Sequence, residues 1–149
     1  MNNIFAKENI FVIEEPLDSK ESFFKIIAKK ATELSFVESE KSCFEGILER
    51  ESQSTTGFED GFAIPHCKSN TVKSPKLMIF KTKEIPWDSL DGKPISISHV
   101  LLMPLSADNE HIRLLSKVAR GLVDENYRNS LKQANAEEIY NLVAKKMEM

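Results

Sequence analysis

Cysteine is scarce in this chain: Cys43 and Cys67 are the only two in 149 residues. Two thiols cannot build a disulfide framework, and neither belongs to a Cys-x-x-Cys pair, so a reducing, cytoplasmic setting is expected. Long apolar runs are missing too. No stretch reaches membrane-spanning length and the start of the chain lacks a signal-peptide core, which argues against direct membrane insertion. Positive charge is not concentrated anywhere. The net charge is -3 and there is no basic cluster, so nucleic acid is not an expected partner. Gly-x-x-x-x-Gly-Lys loops, dinucleotide fingerprints and serine elbows are absent, which removes an ATP site. If this chain handles phosphate, the phosphoryl group arrives on another protein.

What is present is globular in character. Hydrophobic content of 41% and charged content of 29% suit a folded core, and a chain of this size buries about 70% of its unfolded surface. No repeat or linker divides it, so residues 1–149 read as a single domain. Asp18 and Glu21 pair as an N-terminal cap for a first helix whose apolar stripe is Phe23, Phe24, Ile27, Ala28, Ala31 and Leu34. A second helix starts at Ser39, buries Phe44, Ile47 and Leu48, and ends near Glu49-Arg50-Glu51. Strands are expected at Gly61 to His66, Leu77 to Lys81 and Ile95 to Met103. The last two are apolar on adjacent as well as alternating positions, as in strands covered on both faces. Three helical segments close the chain: Asp108 to Leu122, with Leu115, Val118, Ala119 and Leu122 inward; Glu125 to Ala134; and one capped by Asn135 with Glu138 three residues on. This order of two-sided strands between helices predicts an α/β (α+β) fold, a three-layer α/β/α sandwich on a mixed β-sheet.

The stretch Gly61-Phe62-Ala63-Ile64-Pro65-His66 is the most informative. Proline fixes its own φ and pushes Ile64 into an extended conformation, so His66 leaves the strand in a restricted direction. A side chain that makes and breaks a bond benefits from such preorganisation. His111 sits in the first turn of a helix, four residues before Leu115 and seven before Val118, and is expected to face the sheet. A helix start favours neutral imidazole and an anion such as phosphate. The bland alternative for both residues is a turn or core histidine with no chemical role. For His99, inside a strand, the bland reading prevails: packed under a helix, or hydrogen-bonded at the sheet surface. Arg50, at a helix C-terminus, is favoured there by the dipole alone, and its guanidinium also suits bidentate binding of phosphate oxygens. His66, Cys67 and His111 are poor zinc ligands as a set, because neighbours on an extended chain point to opposite sides and no fourth ligand is evident. Cys67 reads as a small buried side chain. No metal and no organic cofactor are expected.

These residues bring a family into view. Ser54-Thr55-Thr56-Gly57 through Ala63-Ile64-Pro65-His66, Trp87-Asp88-Ser89-Leu90-Asp91-Gly92-Lys93-Pro94, Asn109-Glu110-His111-Ile112-Arg113-Leu114-Leu115 and Ala136-Glu137-Glu138-Ile139 together resemble the fructose/mannitol-type enzyme IIA component of the bacterial phosphoenolpyruvate-dependent sugar phosphotransferase system. The resemblance spans nearly the whole chain. It implies that His66 is the phosphorylated histidine, His111 the second active-site histidine and Arg50 the active-site arginine. It further implies that phospho-HPr is the donor and a cysteine of enzyme IIB the acceptor, in a fructose-like branch of sugar uptake. A regulatory relative, or a binding module that no longer transfers phosphate, are the alternatives. Two positions depart from the family pattern, Glu59 and Cys67, where glycine is common. Glu59 places a carboxylate near the site, and Cys67 raises the question of whether the backbone there needs φ > 0.

Overall fold

Ser19, one residue beyond the expected Asp18, opens the first helix. In the computed structural model, which describes residues 3–106 and 109–148 without the side chains of Glu110 and His111, Ser19 has an extended backbone and its hydroxyl accepts the Ser22 N–H at 3.1 Å. Asp18 lies one position too early to reach that N–H and accepts the Ser22 hydroxyl at 2.9 Å instead. Helix α1 (Lys20–Glu33) buries Phe23, Phe24, Ile27, Ala28 and Ala31. Helix α2 (Glu40–Gln53) is capped by Ser39 as expected but runs past Glu51 to Gln53, and its buried positions are Cys43, Ile47 and Glu51. Phe44 and Leu48 are half-buried at the margin of the same core.

Among the described residues five strands form one mixed sheet: β1 (Ile10–Val12), β2 (Phe62–Ala63), β3 (His66–Lys68), β4 (Lys76–Ile85) and β5 (Ile95–Met103). The order is β1-β4-β5, with β2 and β3 end to end along the other side of β5. Strands β4 and β5 are antiparallel, and β1, β2 and β3 each run parallel to their neighbour. Strand β1 is an edge strand absent from the sequence reading. Its three residues are too short for a period, and the pairing of Ile10 with Ile79 through Val12 with Lys81 supplies what the local sequence does not.

Helices α3 (Asn109–Val123), α4 (Glu125–Gln133) and α5 (Ala136–Lys146) cover the opposite face from α1 and α2. Leu114, Val118 and Leu122 are the buried stripe of α3, while Leu115 and Ala119 are half-buried, so the inward face is centred on the position before Leu115. Asp108, the expected start of α3, lies outside the described residues. Asn135 and Glu138 form the expected reciprocal cap of α5, each bond 2.9 Å long. Two apolar cores result. Met78, Phe80, Val100 and Leu102 face α1 and α2, whereas Leu77, Ile79, Leu101 and Met103 face α3 to α5. The two-sided strands thus sit in the middle of a three-layer α/β/α sandwich. Among the described residues no helix is long and apolar enough to cross a membrane.

Candidate functional site

The strand expected to end at Pro65-His66 continues. Pairing with β5 stops at Ile64-Pro65 and resumes at His66 without a slip of register: Phe62 faces Ile97, Ala63 faces Ser98, His66 faces Leu101. Proline has no N–H to give, yet its carbonyl accepts the Leu101 N–H at 3.0 Å, so the ladder bridges the break. His66 therefore begins β3 and does not hang from the end of a strand. It is largely buried, only 8% exposed. Its Nδ1 lies 2.8 Å from the Ile64 carbonyl oxygen. A carbonyl oxygen can only accept, so Nδ1 carries the hydrogen and, in the neutral ring, Nε2 carries the lone pair.

Arg50 and His66 line one cleft of about 290 Å³, together with Glu49 and Gln53 of α2 and Lys68 of β3. The cleft lies where the last turns of α2 pass the outer edge of β3. Arg50 Nη1 donates to the Ser54 carbonyl at 2.9 Å, which closes the helix end and holds the guanidinium in the cleft wall. Lys68 adds a second cation that the sequence reading did not single out. His111 lies in the first turn of α3, and its side chain is outside the described residues. The structure thus brings two of the three candidate residues together.

Cys67 lies at the buried floor of the same cleft, in the core between the sheet and α2, where its side chain meets Cys43 and the open face of Gly46. Hydrogen bonding with Cys43, then burial, pushes the Cys67 thiol up, which disfavours the thiolate a nucleophile needs. Its backbone is ordinary strand, so no glycine is required after His66. Glu59 is exposed and does not line the cleft. Left-handed backbone falls instead on the next two residues, Asp60 (φ 61) and Gly61 (φ 85). Asp60 is held there by Arg128 at 3.0 Å and Lys132 at 2.5 Å, which tie the turn before β2 to α4. Lys132's hydrogen bond outweighs the effect of burial and, with Arg128, keeps the Asp60 carboxyl below its usual range.

His99 is packed within the sheet, 1% exposed, with neither ring nitrogen hydrogen-bonded and its ring 6.3 Å from that of Phe62. The packed reading of His99 holds and the hydrogen-bonded one does not. Desolvation lowers its pKa to about 4, so it is neutral at pH 7.

Besides Lys68, a buried residue of the site's surroundings was missed. Glu51, next to Arg50, is 6% exposed. Its carboxylate accepts the Thr56 N–H (3.1 Å to Oε2), the Thr56 hydroxyl, the Trp87 indole N–H at 3.1 Å and the Lys20 ammonium at 3.2 Å. The signal for it was in the sequence: Glu51 follows Cys43 and Ile47 at four-residue steps, on the buried face of α2.

Residues 3–146 match the family model described as phosphoenolpyruvate-dependent sugar phosphotransferase system, EIIA 2. The chain belongs to this family. Among its EIIA relatives, the fructose-specific EIIA component of the phosphotransferase system of Haloferax volcanii is 30% identical over 127 residues, 85% of this chain and 82% of that one. A protein named nitrogen regulatory protein from Pseudomonas aeruginosa is 36% identical over 105 residues, 69% of this chain and 68% of that one. In three dimensions the chain is similar to the nitrogen regulatory protein IIA-Ntr of Neisseria meningitidis, with a TM-score of 0.87 and 30% identity, covering 95% of this chain and 97% of that one. The EIIA fold and the chain's place in the phosphotransferase family thus agree with the resemblance carried by the Ala63-Ile64-Pro65-His66 segment.

Proposed function

We propose that this chain is a single-domain phosphoryl carrier that accepts phosphate from phospho-HPr on Nε2 of His66 and passes it to a cysteine of enzyme IIB. The observation that carries this reading is the hydrogen bond from His66 Nδ1 to the Ile64 carbonyl, inside a cleft shared with Arg50. It leaves the Nε2 lone pair as the attacking electrons. In the first step that pair forms a P–N bond while the P–N bond of the carrier breaks and its electrons return to the carrier's imidazole. In the second step the IIB thiolate forms a P–S bond and the pair returns to His66 Nε2. The transition state is loose, so positioning and charge stabilisation do most of the work. Arg50 binds the transferring oxygens, His111 shares this role as the family resemblance implies, and Lys68 adds positive field. This chemistry uses neither metal nor organic cofactor, and it fits a cytoplasmic protein working beside a membrane component.

The fructose-like branch is the favoured role, supported by the fructose-specific relative and the Trp87 to Gly92 segment. A regulatory role, in which phosphorylation of His66 governs binding to other proteins, is the second reading, supported by the nitrogen regulatory relatives. The test supplies phosphoenolpyruvate, enzyme I and HPr, then offers a panel of IIB proteins. Acid-labile label on the wild type, its loss in His66→Ala and rapid discharge to one IIB are expected. Persistent labelling of His66→Ala at the wild-type rate overturns the assignment, and refusal by every IIB favours regulation.

A further inference from the structure

We infer that Glu51 is a positioning residue for the phosphoryl-accepting nitrogen of His66, an inference that rests on the carrier reading above. The connection is continuous. The Glu51 carboxylate takes both the N–H and the hydroxyl of Thr56. The Thr56 carbonyl accepts the Ile64 N–H at 3.0 Å. The Ile64 carbonyl, on the same residue, takes the hydrogen of His66 Nδ1 at 2.8 Å. The links run without a gap from the carboxylate to the ring, and the last decides which imidazole nitrogen holds the lone pair.

The placement of Glu51 supports this role. Burying a carboxylate is costly unless donors replace its water, and here donors come from three separate parts of the chain: Thr56, Trp87 and Lys20. The last turn of α2 is thereby locked to the segment that precedes β2. The same turn carries Arg50, whose side chain leaves toward the cleft while that of Glu51 goes inward. One residue therefore fixes both the base of the arginine and the tautomer of the histidine. Trp87 closes the back of the assembly, with Gly57 packed against its ring edge.

Glu51→Gln preserves size but turns an amide N–H₂ toward at least one of these donors. Tautomer is read from the ¹⁵N shifts of His66 at about pH 8.5, where an ordinary imidazole is neutral. Transfer is read from the rate of labelling by phospho-HPr. The wild type should show the Nδ1–H form predominating. Glu51→Gln should lose that bias and slow labelling by roughly 10- to 100-fold, the scale of a small misplacement at a reacting centre. Thr56→Val, which replaces the hydroxyl with a methyl and keeps the N–H bond to Glu51, should shift both readouts in the same direction by less, and Thr56→Ser, which keeps the hydroxyl, should stay near wild type. Asp88→Asn breaks only the outer partner of Lys20 and should leave the tautomer unchanged. If Glu51→Gln does not fold, Thr56→Val against Thr56→Ser decides. Wild-type tautomer and rate in the folded variants overturn the positioning role of Glu51 alone. A wild type that takes no label, or takes it elsewhere than His66, overturns the carrier reading instead.

Discussion

The Ile64 carbonyl oxygen and His66 Nδ1 are 2.8 Å apart, although only Pro65 separates the two residues. This contact exists because the chain stays extended through Ile64-Pro65 and returns to the ladder at His66. On the proposed carrier role, this contact selects the product of phosphorylation. The adduct should be 3-phosphohistidine, with phosphorus on Nε2 and the hydrogen retained on Nδ1. Phosphorus–nitrogen coupling in the ¹⁵N-labelled, phosphorylated protein reads this directly, and a 1-phosphohistidine product would show that the Ile64 contact is broken before transfer.

On the proposed role, Arg50 bears on transfer more than on folding. Arg50→Ala removes two exposed hydrogen bonds to Ser54, one of them long at 3.5 Å, so it should cost less than about 1.5 kcal/mol of stability. Transfer should fall about 10²- to 10³-fold, the usual scale for losing one preorganised donor to developing charge. Arg50→Lys should recover part of the rate but not the bidentate geometry. Rapid-quench labelling alongside thermal melts separates the two effects.

His99 makes stability depend on pH. Its folded pKa of about 4 lies below the unfolded value of 6.5, so the unfolded chain binds the extra proton between those limits. The contribution is fully present above about pH 6.5 and is lost as pH falls toward 4, by an amount on the order of 3 kcal/mol. His99→Phe removes two unpartnered nitrogens and should stabilise the protein by about 1–2 kcal/mol at pH 7. Urea melts at a series of pH values should show a flatter profile for the variant across this window. An unchanged slope would mean that other groups, such as the ion-paired Asp60, carry the acid sensitivity.

Gly57 has no room for a side chain. A Cβ there would stand 2.6 Å from Trp87 Cδ1 and 2.9 Å from the Ser89 backbone. Gly57→Ala should therefore cost about 1–3 kcal/mol. Because Trp87 is the only tryptophan, its fluorescence should move to the red as the indole leaves its buried seat beside Glu51. A variant with wild-type emission and stability would show that the 87–91 segment yields without loosening Trp87.

Much of this architecture was legible before the structure, for reasons that differ by element. Strand β5 was read to the residue because its run is two-sided, follows the turn Leu90-Asp91-Gly92 and runs into Pro104. The α5 cap was legible because Asn135 and Glu138 form a local motif. Helix α2 was read too short because the charged run Glu49-Arg50-Glu51 looks like a solvated end, whereas Glu51 is satisfied by donors from distant parts of the chain. Strand β1 escaped because only its partner β4 makes it a strand. At the site, Pro65-His66 was visible as a constraint, but its continuation into β3 depends on pairing with β5, which no local pattern encodes. The concern attached to Cys67 dissolved because the positive φ values fall at Asp60 and Gly61, before the strand.

The unbroken register across Pro65 has a kinetic consequence for a carrier. A reactive ring seated in a hydrogen-bonded ladder is a fixed post and not a swinging arm. Donor and acceptor must each come to the same stationary nitrogen and must take turns there. Turnover should then follow ping-pong order, with parallel double-reciprocal lines, and surplus acceptor should slow loading by occupying the post while it is empty.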